Sequence, residues 1–291
     1  MLLSMTGYGR GTVSENGKTI TIEIRSLNSK FTDIRFKIPN NYKEKEPVFR
    51  KQITEKAQRG KLDMNLDIKS LTGDEDFGLN IPLFKRYFEE LKTLSNELGI
   101  SHGDIVQSIL RIPNVVGGAE DAIDEEEWKL VQKSLNEALN NFDQFRRSEG
   151  AAMEKDLRLR IDNICNALKD VDPFEEGRVT RLRNRLKQNL EEFLGKENVD
   201  ENRFEQEVLF YLEKIDITEE KVRLGQHCKY FLEQLDLKTT QKGRKLSFIS
   251  QEMGREINTL GAKAYSSDIQ RLVVQMKDEL EKIKEQVANS V

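Results

Sequence analysis

The chain has 291 residues, a formal net charge of −4, 37% hydrophobic residues and 34% charged residues. This length allows two domains, and the polar composition is typical of amphipathic helices with charged outer faces. Lys and Arg number 22 against 24 Asp and Glu in residues 1–150, and 25 against 27 in residues 151–291. A chain-wide positive surface is therefore excluded, and any RNA site must be a local patch, which we expect inside an assembly.

Cysteine usage and hydropathy indicate the compartment. Cys165 and Cys228 fall in helical context without CxxC spacing, and no uncharged run is long enough to span a bilayer. The first residues, MLLSMTGYGRG, lack the basic and apolar regions of a signal peptide. We therefore expect a reduced, cytoplasmic protein that does not contact a membrane.

The first third of the chain predicts a small sheet. Ile20, Ile22 and Ile24 alternate with polar residues, as in a half-buried strand. Weaker strand patterns cover residues 3–13, 31–38 and 61–69, and Asn16-Gly17 predicts a hairpin turn. Residues 43–58 have a helical pattern. Together these patterns predict a mixed sheet with packed helices.

The rest of the chain predicts long helices. All five prolines lie before residue 174, so the last 118 residues contain no proline to break a helix. Helical patterns cover residues 80–98, 103–111, 124–147, 148–170, 175–194, 201–235, 243–260 and 266–288. We predict an α+β protein with an α/β domain at 1–149 and an all-α domain at 150–291 that carries the Gln251 to Lys263 segment.

One dense basic stretch stands out. It runs from Arg178 through Arg181, Arg183 and Arg185 to Lys187, opposite apolar helix positions. Two interpretations are open: a solvated face paired with acidic neighbours, or a face that contacts phosphates.

Residues 243–264 carry the most informative pattern. One apolar stripe lies at helical spacing: Ile249, Met253, Ile257, Leu260 and Ala264. Beside it, Glu252 and Glu256 lie one turn apart, with Lys263 farther along the same edge. Two carboxylates at this spacing can bind Mg²⁺ or Mn²⁺. They are also common on ordinary helix surfaces, so both interpretations remain open.

The two histidines differ in their surroundings. Glu220, Arg223 and His227 share one helical face, which suits an acid–base or metal site but equally a partly buried structural histidine. His102 reads as a loop residue before a helix. Cys228 reads as a small core residue rather than a nucleophile.

No nucleotide-binding, zinc-type or serine-hydrolase motif occurs in the chain. Several longer segments do resemble the YicC-like endoribonuclease family, in order and spacing from end to end. These are Ser4-Met5-Thr6-Gly7-Tyr8-Gly9-Arg10, Glu23-Ile24-Arg25-Ser26-Leu27-Asn28, Glu46-Pro47 with Arg59-Gly60-Lys61, Glu201-Asn202-Arg203-Phe204-Glu205-Gln206-Glu207, Asp216-Ile217-Thr218-Glu219-Glu220 and Gly243 to Lys263.

The resemblance implies a bacterial endoribonuclease that needs a divalent metal cation (Mn or Mg) and assembles as a homohexamer. It favours functional roles for residues that match its motifs. Because these positions match its motifs, we assign catalytic roles to His227, Glu252 and Glu256, and we expect Glu252 and Glu256 to bind the metal. The implied RNA-binding residues are Arg25, Asn28, Arg59, Lys61, Arg244, Arg255 and Lys263.

The end of the chain departs from the family pattern. Relatives close with a pattern like Arg-Glu-Gln-x-x-Asn-Ile-Glu, whereas here Asn289 is followed by Ser290 and Val291. The final acidic residue is missing. If that carboxylate serves the active site or a subunit contact in relatives, we expect altered activity or assembly here.

Two hypotheses from different classes follow. The first is metal-dependent hydrolysis of phosphodiester bonds in single-stranded or small regulatory RNA. The second is a helical RNA-binding or scaffolding oligomer without catalysis, which the lack of a familiar nuclease motif favours. A salt series separates them, because a pure binder retains intact RNA and produces no new fragment ends.

Overall fold

The computed structural model describes residues 2–15, 17–29, 31–57, 60–70, 79–99, 104–112, 115, 123–195, 200–239 and 241–291. The chain divides into two compact units. The N-terminal unit is Thr6–Phe145, and the C-terminal unit combines Met1–Met5 with Arg146–Val291. Among the described residues, no helix is long and apolar enough to cross a membrane.

The N-terminal unit contains the predicted mixed sheet. Its strands are β1 (Gly7–Glu15), β2 (Lys18–Leu27), β3 (Asp33–Lys37) and β4 (Lys61–Ser70), in the order β1-β2-β4-β3. The β1–β2 and β2–β4 pairs are antiparallel, and β3 pairs with β4 in parallel. A 3₁₀ turn at Asn40–Lys45 leads into α1 (Glu46–Ala57), and α2 (Ile81–Leu98) and α3 (Ile105–Leu110) follow β4. The α+β prediction is confirmed.

Only one face of this sheet is buried. Ile20, Ile22 and Ile24 are fully buried, as their alternation predicts, and they share a core with Phe49 of α1 and Leu135. Successive strand residues point to opposite faces, so the polar residues between them face outward. On β1 and β3 these outward residues are exposed.

Three glycines bring β1 against helix α4 (Glu125–Lys169). A Cβ at Gly9 would lie 2.1 Å from the carbonyl oxygen of Ala138, and one at Gly11 would lie 2.1 Å from that of Ser134. A Cβ at Gly7 would lie 2.4 Å from the ring of Phe142. No side chain fits between the strand and the helix, so this part of the SMTGYGRG segment is required by packing.

Gly9→Ala should lower the free energy of unfolding of the N-terminal unit by roughly 2–3 kcal/mol, because the opposing atoms are backbone and cannot move cheaply. Urea unfolding followed by Trp128 fluorescence measures this, since Trp128 lies beside Phe49 in this unit. Gly225→Ala is the control. It lies in a helix of the C-terminal unit with nothing within 4 Å of the added Cβ, so we expect the unfolding of the N-terminal unit, followed by Trp128, to be unchanged. Equal stability of Gly9→Ala and wild type would contradict this packing account.

The C-terminal unit is helical, as predicted. It contains the last part of α4, then α5 (Asp172–Leu194), α6 (Glu201–Ile215), α7 (Thr218–Asp236), α8 (Gly243–Ala264) and α9 (Ser267–Ala288). Its core combines residues of α4, α7, α8 and α9.

The prediction of separate helices at 124–147 and 148–170 is wrong, because α4 is continuous. The sequence suggests a break near Gly150, but this glycine has another role. A Cβ there would lie 2.0 Å from the carbonyl oxygen of Leu2. Gly150 therefore lets the first residues of the chain pack directly on an unbroken helix.

The single helix predicted at 201–235 is also wrong, because α6 ends at Ile215 and α7 begins at Thr218. Asp216 has an extended backbone and its carboxylate accepts a hydrogen bond from the Thr218 amide at 2.9 Å. Hydrogen bonds from Thr218 lower the pKa of Asp216. A side chain that satisfies a free amide in this way starts a new helix.

The two ends of the chain meet within the C-terminal unit. The Met5 amide donates to the carbonyl oxygen of Asn289 at 2.8 Å, and the Val291 amide donates to that of Leu3 at 3.0 Å. The Val291 carbonyl in turn accepts from the amide of Gly243 at 2.9 Å. Residues 2–5 therefore belong with the helical unit, whereas the boundary predicted between residues 149 and 150 stays a prediction.

Candidate functional site

The candidate site lies on the helical hairpin formed by α7 and α8. The helices are antiparallel, because Lys263 at the end of α8 contacts Glu220 in the first turn of α7. At the other end, the ammonium group of Lys242 donates to the carbonyl oxygen of Leu235. The predicted apolar stripe is confirmed, since Ile249, Met253, Ile257, Leu260 and Ala264 are all buried. Helical geometry continues past Gly261 to Ala264, as the stripe assumed.

A buried ion pair lies at one end of the hairpin. Lys263 Nζ is 2.8 Å from Glu220 Oε1, and the Glu220 side chain is only 6% exposed. Glu220 Oε2 is also buried and has no hydrogen-bond partner within the described ranges. A buried carboxylate with one free oxygen is costly unless a further group binds it.

Arg178 lies in the same unit and has a structural role. Its guanidinium donates to the carbonyl oxygens of Ala264 at 3.1 Å and Ile215 at 2.6 Å, which are terminal carbonyls of α8 and α6. Helix ends leave such carbonyls without partners, and Arg178 satisfies them. Burial lowers the pKa of Arg178. Arg178 therefore lies neither on a solvated face nor on a face that contacts phosphates. Arg183, by contrast, is exposed and pairs with the acidic side chain of Glu205.

His227 and Glu256 lie at the same level of the hairpin. His227 is seven residues beyond Glu220 on α7, and Glu256 is seven residues before Lys263 on α8. Because the helices are antiparallel and rise equally per residue, the Glu220–Lys263 contact fixes this register. Both side chains are half-buried. Arg223, predicted beside His227, instead pairs with Glu219.

Glu252 lies one turn before Glu256 on α8. Its Oε1 is 2.8 Å from Arg255 Nη1, and both side chains are solvent-accessible. Arg244, the second residue of α8, lies over the ring of Phe248 at 5.7 Å. It is 19 residues from Lys263, so the two cations are roughly 28 Å apart along the helix and cannot bind one phosphate.

The α8 carboxylates suit a hard divalent cation in their chemistry. Mg²⁺ is commonly bound through one or two carboxylates and keeps several waters and substrate phosphates as its other ligands. Glu252 and Glu256 provide that number of carboxylates, one helical turn apart. In the described part of the chain, no group of three or more His, Cys, Asp or Glu side chains could hold an ion by itself.

The predicted RNA-binding residues of the N-terminal unit lie at one end of its sheet. Arg25 is exposed near the end of β2, exposed Asn28 follows that strand, and Lys61 begins β4 opposite Leu27. Arg25 Nη2 is 3.2 Å from Glu23 Oε2. Arg59 and His102 lie outside the described residues.

The prediction that Cys228 is a core residue is confirmed, because it is fully buried. A hydrogen bond with Cys165 and burial raise the pKa of the Cys228 thiol. It therefore stays protonated and is a poor nucleophile.

Comparison with known proteins decides the family. Residues 2–155 match the family described as endoribonuclease YicC-like, N-terminal region, and residues 171–290 match endoribonuclease YicC-like, C-terminal. The chain belongs to the YicC-like endoribonuclease family. It is 33% identical to the probable endoribonuclease YicC of Clostridioides difficile over 293 residues, and 30% identical to that of Haemophilus influenzae over 291 residues. Each alignment covers 99% of both chains.

Two functional features were not apparent from the sequence. Burial of Glu220 and Arg178 could not be seen, because each sits in a run of charged residues that resembles a surface. On the YicC-like sheet, the outward alternation of Tyr8 and Arg10 on β1 and of Arg35 and Lys37 on β3 was available as a signal.

Lys263→Met should lower the free energy of unfolding by roughly 1–3 kcal/mol, because Glu220 would remain buried without its cation. The double variant Glu220→Gln, Lys263→Met should recover most of that loss. The measurement is a double-mutant cycle, in which urea unfolding is followed for wild type, Glu220→Gln, Lys263→Met and the double variant. Additive effects of the two substitutions would show that the pair does not interact.

Proposed function

We propose that this YicC-like chain is an endoribonuclease of the cytoplasm that hydrolyses phosphodiester bonds in single-stranded or small regulatory RNA. The observation that carries this proposal is the match of both units to the family, supported by two relatives named probable endoribonuclease YicC that align over 99% of the chain. The half-buried carboxylates of α8 and the histidine of α7 that lies level with Glu256 are groups suited to that chemistry.

Glu252 and Glu256 would hold a divalent cation, Mn²⁺ or Mg²⁺, at the edge of α8. When bound, such a cation stabilises charge on a phosphoryl oxygen and lowers the pKa of water. His227, half-buried at the level of Glu256, would accept or donate a proton at the attacking water or the leaving oxygen. Arg244, Arg255 and Lys263 would contact phosphates of the RNA, as would Arg25, Asn28, Arg59 and Lys61 of the other unit.

Glu252→Gln and Glu256→Gln should each reduce RNA cleavage by orders of magnitude, because each removes a carboxylate ligand while keeping side-chain shape. Thermal stability should hold or rise slightly, since a like-charge pair one turn apart is relieved. The measurement is cleavage of a labelled single-stranded RNA with Mn²⁺ or Mg²⁺, resolved by gel electrophoresis.

The matched control is Glu285→Gln, an exposed carboxylate on α9, which should cut as wild type does. Cleavage should stop in EDTA. Cleavage that persists in EDTA, or full activity in both α8 variants as folded oligomers, would refute the metal role and direct attention to Glu219, Glu220 and Glu23. Binding without new fragment ends at any metal concentration would favour the rival, a non-catalytic RNA-binding scaffold.

The chain would act as a homo-oligomer, a hexamer by the family resemblance. Helix α2 supports self-association, because none of its described side chains is buried although its apolar residues form a stripe. Leu94 and Leu98 are half or more exposed on this stripe. An 18-residue amphipathic helix depends on packing of its apolar face, and another copy of the chain would supply it.

Leu94→Glu should therefore lower the mass measured by light scattering at micromolar concentration, because a carboxylate would be buried in the subunit contact. Thr93→Glu, one residue away on the exposed opposite side, should leave the mass unchanged. A wild-type monomer would contradict the assembly proposal.

A further inference from the structure

The outward face of the N-terminal sheet is solvent-exposed, and its charged residues are unevenly distributed. Two neighbouring rows cross its four strands. In one row Tyr8 pairs with Arg25, Arg25 with Asp63, and Asp63 with Arg35; in the next, Arg10 pairs with Glu23, Glu23 with Asn65, and Asn65 with Lys37. The rows beyond contain hydroxyl pairs, Thr12 with Thr21 and Ser14 with Thr19, and one ion pair, in which Lys69 Nζ lies 3.6 Å from Asp67 Oδ2. Net positive charge is therefore concentrated toward the other end of the face.

That end is positive although the chain is not. The two rows contain four cations, Arg10, Arg25, Arg35 and Lys37, against two carboxylates, Glu23 and Asp63, in a chain whose net charge is −4. The adjoining row contains one cation, Lys61, opposite one carboxylate, Asp33, and leaves this excess unchanged. This is the local patch that a polyanion requires when bulk composition is acidic.

An aromatic side chain lies within the patch and is held in place. Tyr8 is 37% exposed, its hydroxyl donates to Glu23 Oε1 at 3.4 Å, and the Arg25 guanidinium lies 5.5 Å from the centre of its ring. Glu23 also holds Arg25 through its other oxygen at 3.2 Å. The ring and the guanidinium are thus fixed together, with Arg25 largely exposed to solvent.

A second aromatic ring lies at the same end of the sheet. Phe31 is 74% exposed and comes two residues before β3, the edge strand opposite β1. Three strand spacings separate β1 from β3, roughly 14 Å. RNA-recognition modules stack two or three bases across a four-stranded sheet of this width.

We infer that this sheet face binds single-stranded RNA, with one base stacked on the Tyr8–Arg25 pair and neighbouring phosphates contacted by Arg35 and Lys37. Exposed rings and guanidinium planes bind unstacked bases, whereas the surrounding cations bind the backbone. A duplex presents no free base face, so single strands are preferred. The inference rests on the proposed function and assigns the substrate-gripping surface for it.

The experiment measures affinity without cleavage. A fluorescein-labelled 12-nucleotide oligouridine RNA is titrated with the full-length protein in EDTA, and anisotropy is followed across a salt series. Tyr8→Leu should raise Kd roughly 5- to 150-fold without changing the slope of log Kd against log salt, because it removes stacking and no charge. Tyr8→Phe, which keeps the ring, should bind within about threefold of wild type.

Removing a cation, unlike removing the Tyr8 ring, should change the slope of log Kd against log salt. Arg35→Gln and Lys37→Gln should each reduce the salt slope by about one. Thr12→Val is the matched control, because Thr12 lies on the same strand and the same face as Tyr8, and this variant should bind RNA as wild type does.

The outcomes separate this inference from the proposed function. If wild type cuts RNA but Tyr8→Leu and Arg35→Gln bind as tightly as wild type, the sheet-face inference is wrong and the endoribonuclease proposal stands. If Tyr8→Leu changes the mass in light scattering, a second copy occupies the face and the inference is also wrong. If wild type neither binds nor cuts RNA, both fail.

Discussion

The absence of side chains where β1 meets α4 is the constraint on which the N-terminal unit depends. Gly7, Gly9 and Gly11 occupy alternate positions of β1, so all three lie on the same, buried face of the strand. With backbone atoms of Ala138 and Ser134 about 2 Å from where a Cβ would lie, the helix must cover that face. The residues between the glycines, among them Tyr8 and Arg10, are then forced outward. One close contact therefore creates both the core and the open, charged face.

The C-terminal unit buries helix ends and charged side chains, and each of these needs a partner. Arg178 satisfies the last carbonyls of α6 and α8, and Lys263 neutralises the buried Glu220. Such groups are expensive to bury unless they are paired, so they fix one arrangement of the helices. The same ion pair sets the register of α7 against α8 and thereby brings His227 level with Glu256. The Glu220–Lys263 pair therefore serves packing and also aligns the candidate catalytic residues.

Much of the fold could be predicted because the patterns have a direct physical cause. Ile20, Ile22 and Ile24 alternate because one sheet face is buried, and the stripe from Ile249 to Ala264 follows from one buried helix face. Errors arose where a residue has two possible roles. Gly150 resembles a helix breaker but allows a close backbone contact. Asp216 resembles a surface helix residue, but it lies between α6 and α7 and its carboxylate accepts from the first amide of α7.

The candidate site was less accessible to prediction. Spacing placed Glu252 and Glu256 together on α8, but the level of His227 depends on the pairing of two helices, which no local pattern specifies. Arg178 and Glu220 resembled solvated charges because burial is a property of the tertiary structure. The roles assigned through the family resemblance, including Arg59 outside the described residues, stay predictions.

We propose that the sheet face holds the RNA while the α7–α8 hairpin carries the catalytic groups. Photo-cross-linking of 4-thiouridine RNA to the wild-type protein in EDTA, followed by mass spectrometry of the adducts, tests it most directly. We expect RNA adducts on the β1 peptide at Tyr8 and on the peptide that contains Phe31. RNA adducts that are absent from both the Tyr8 peptide and the Phe31 peptide would contradict it.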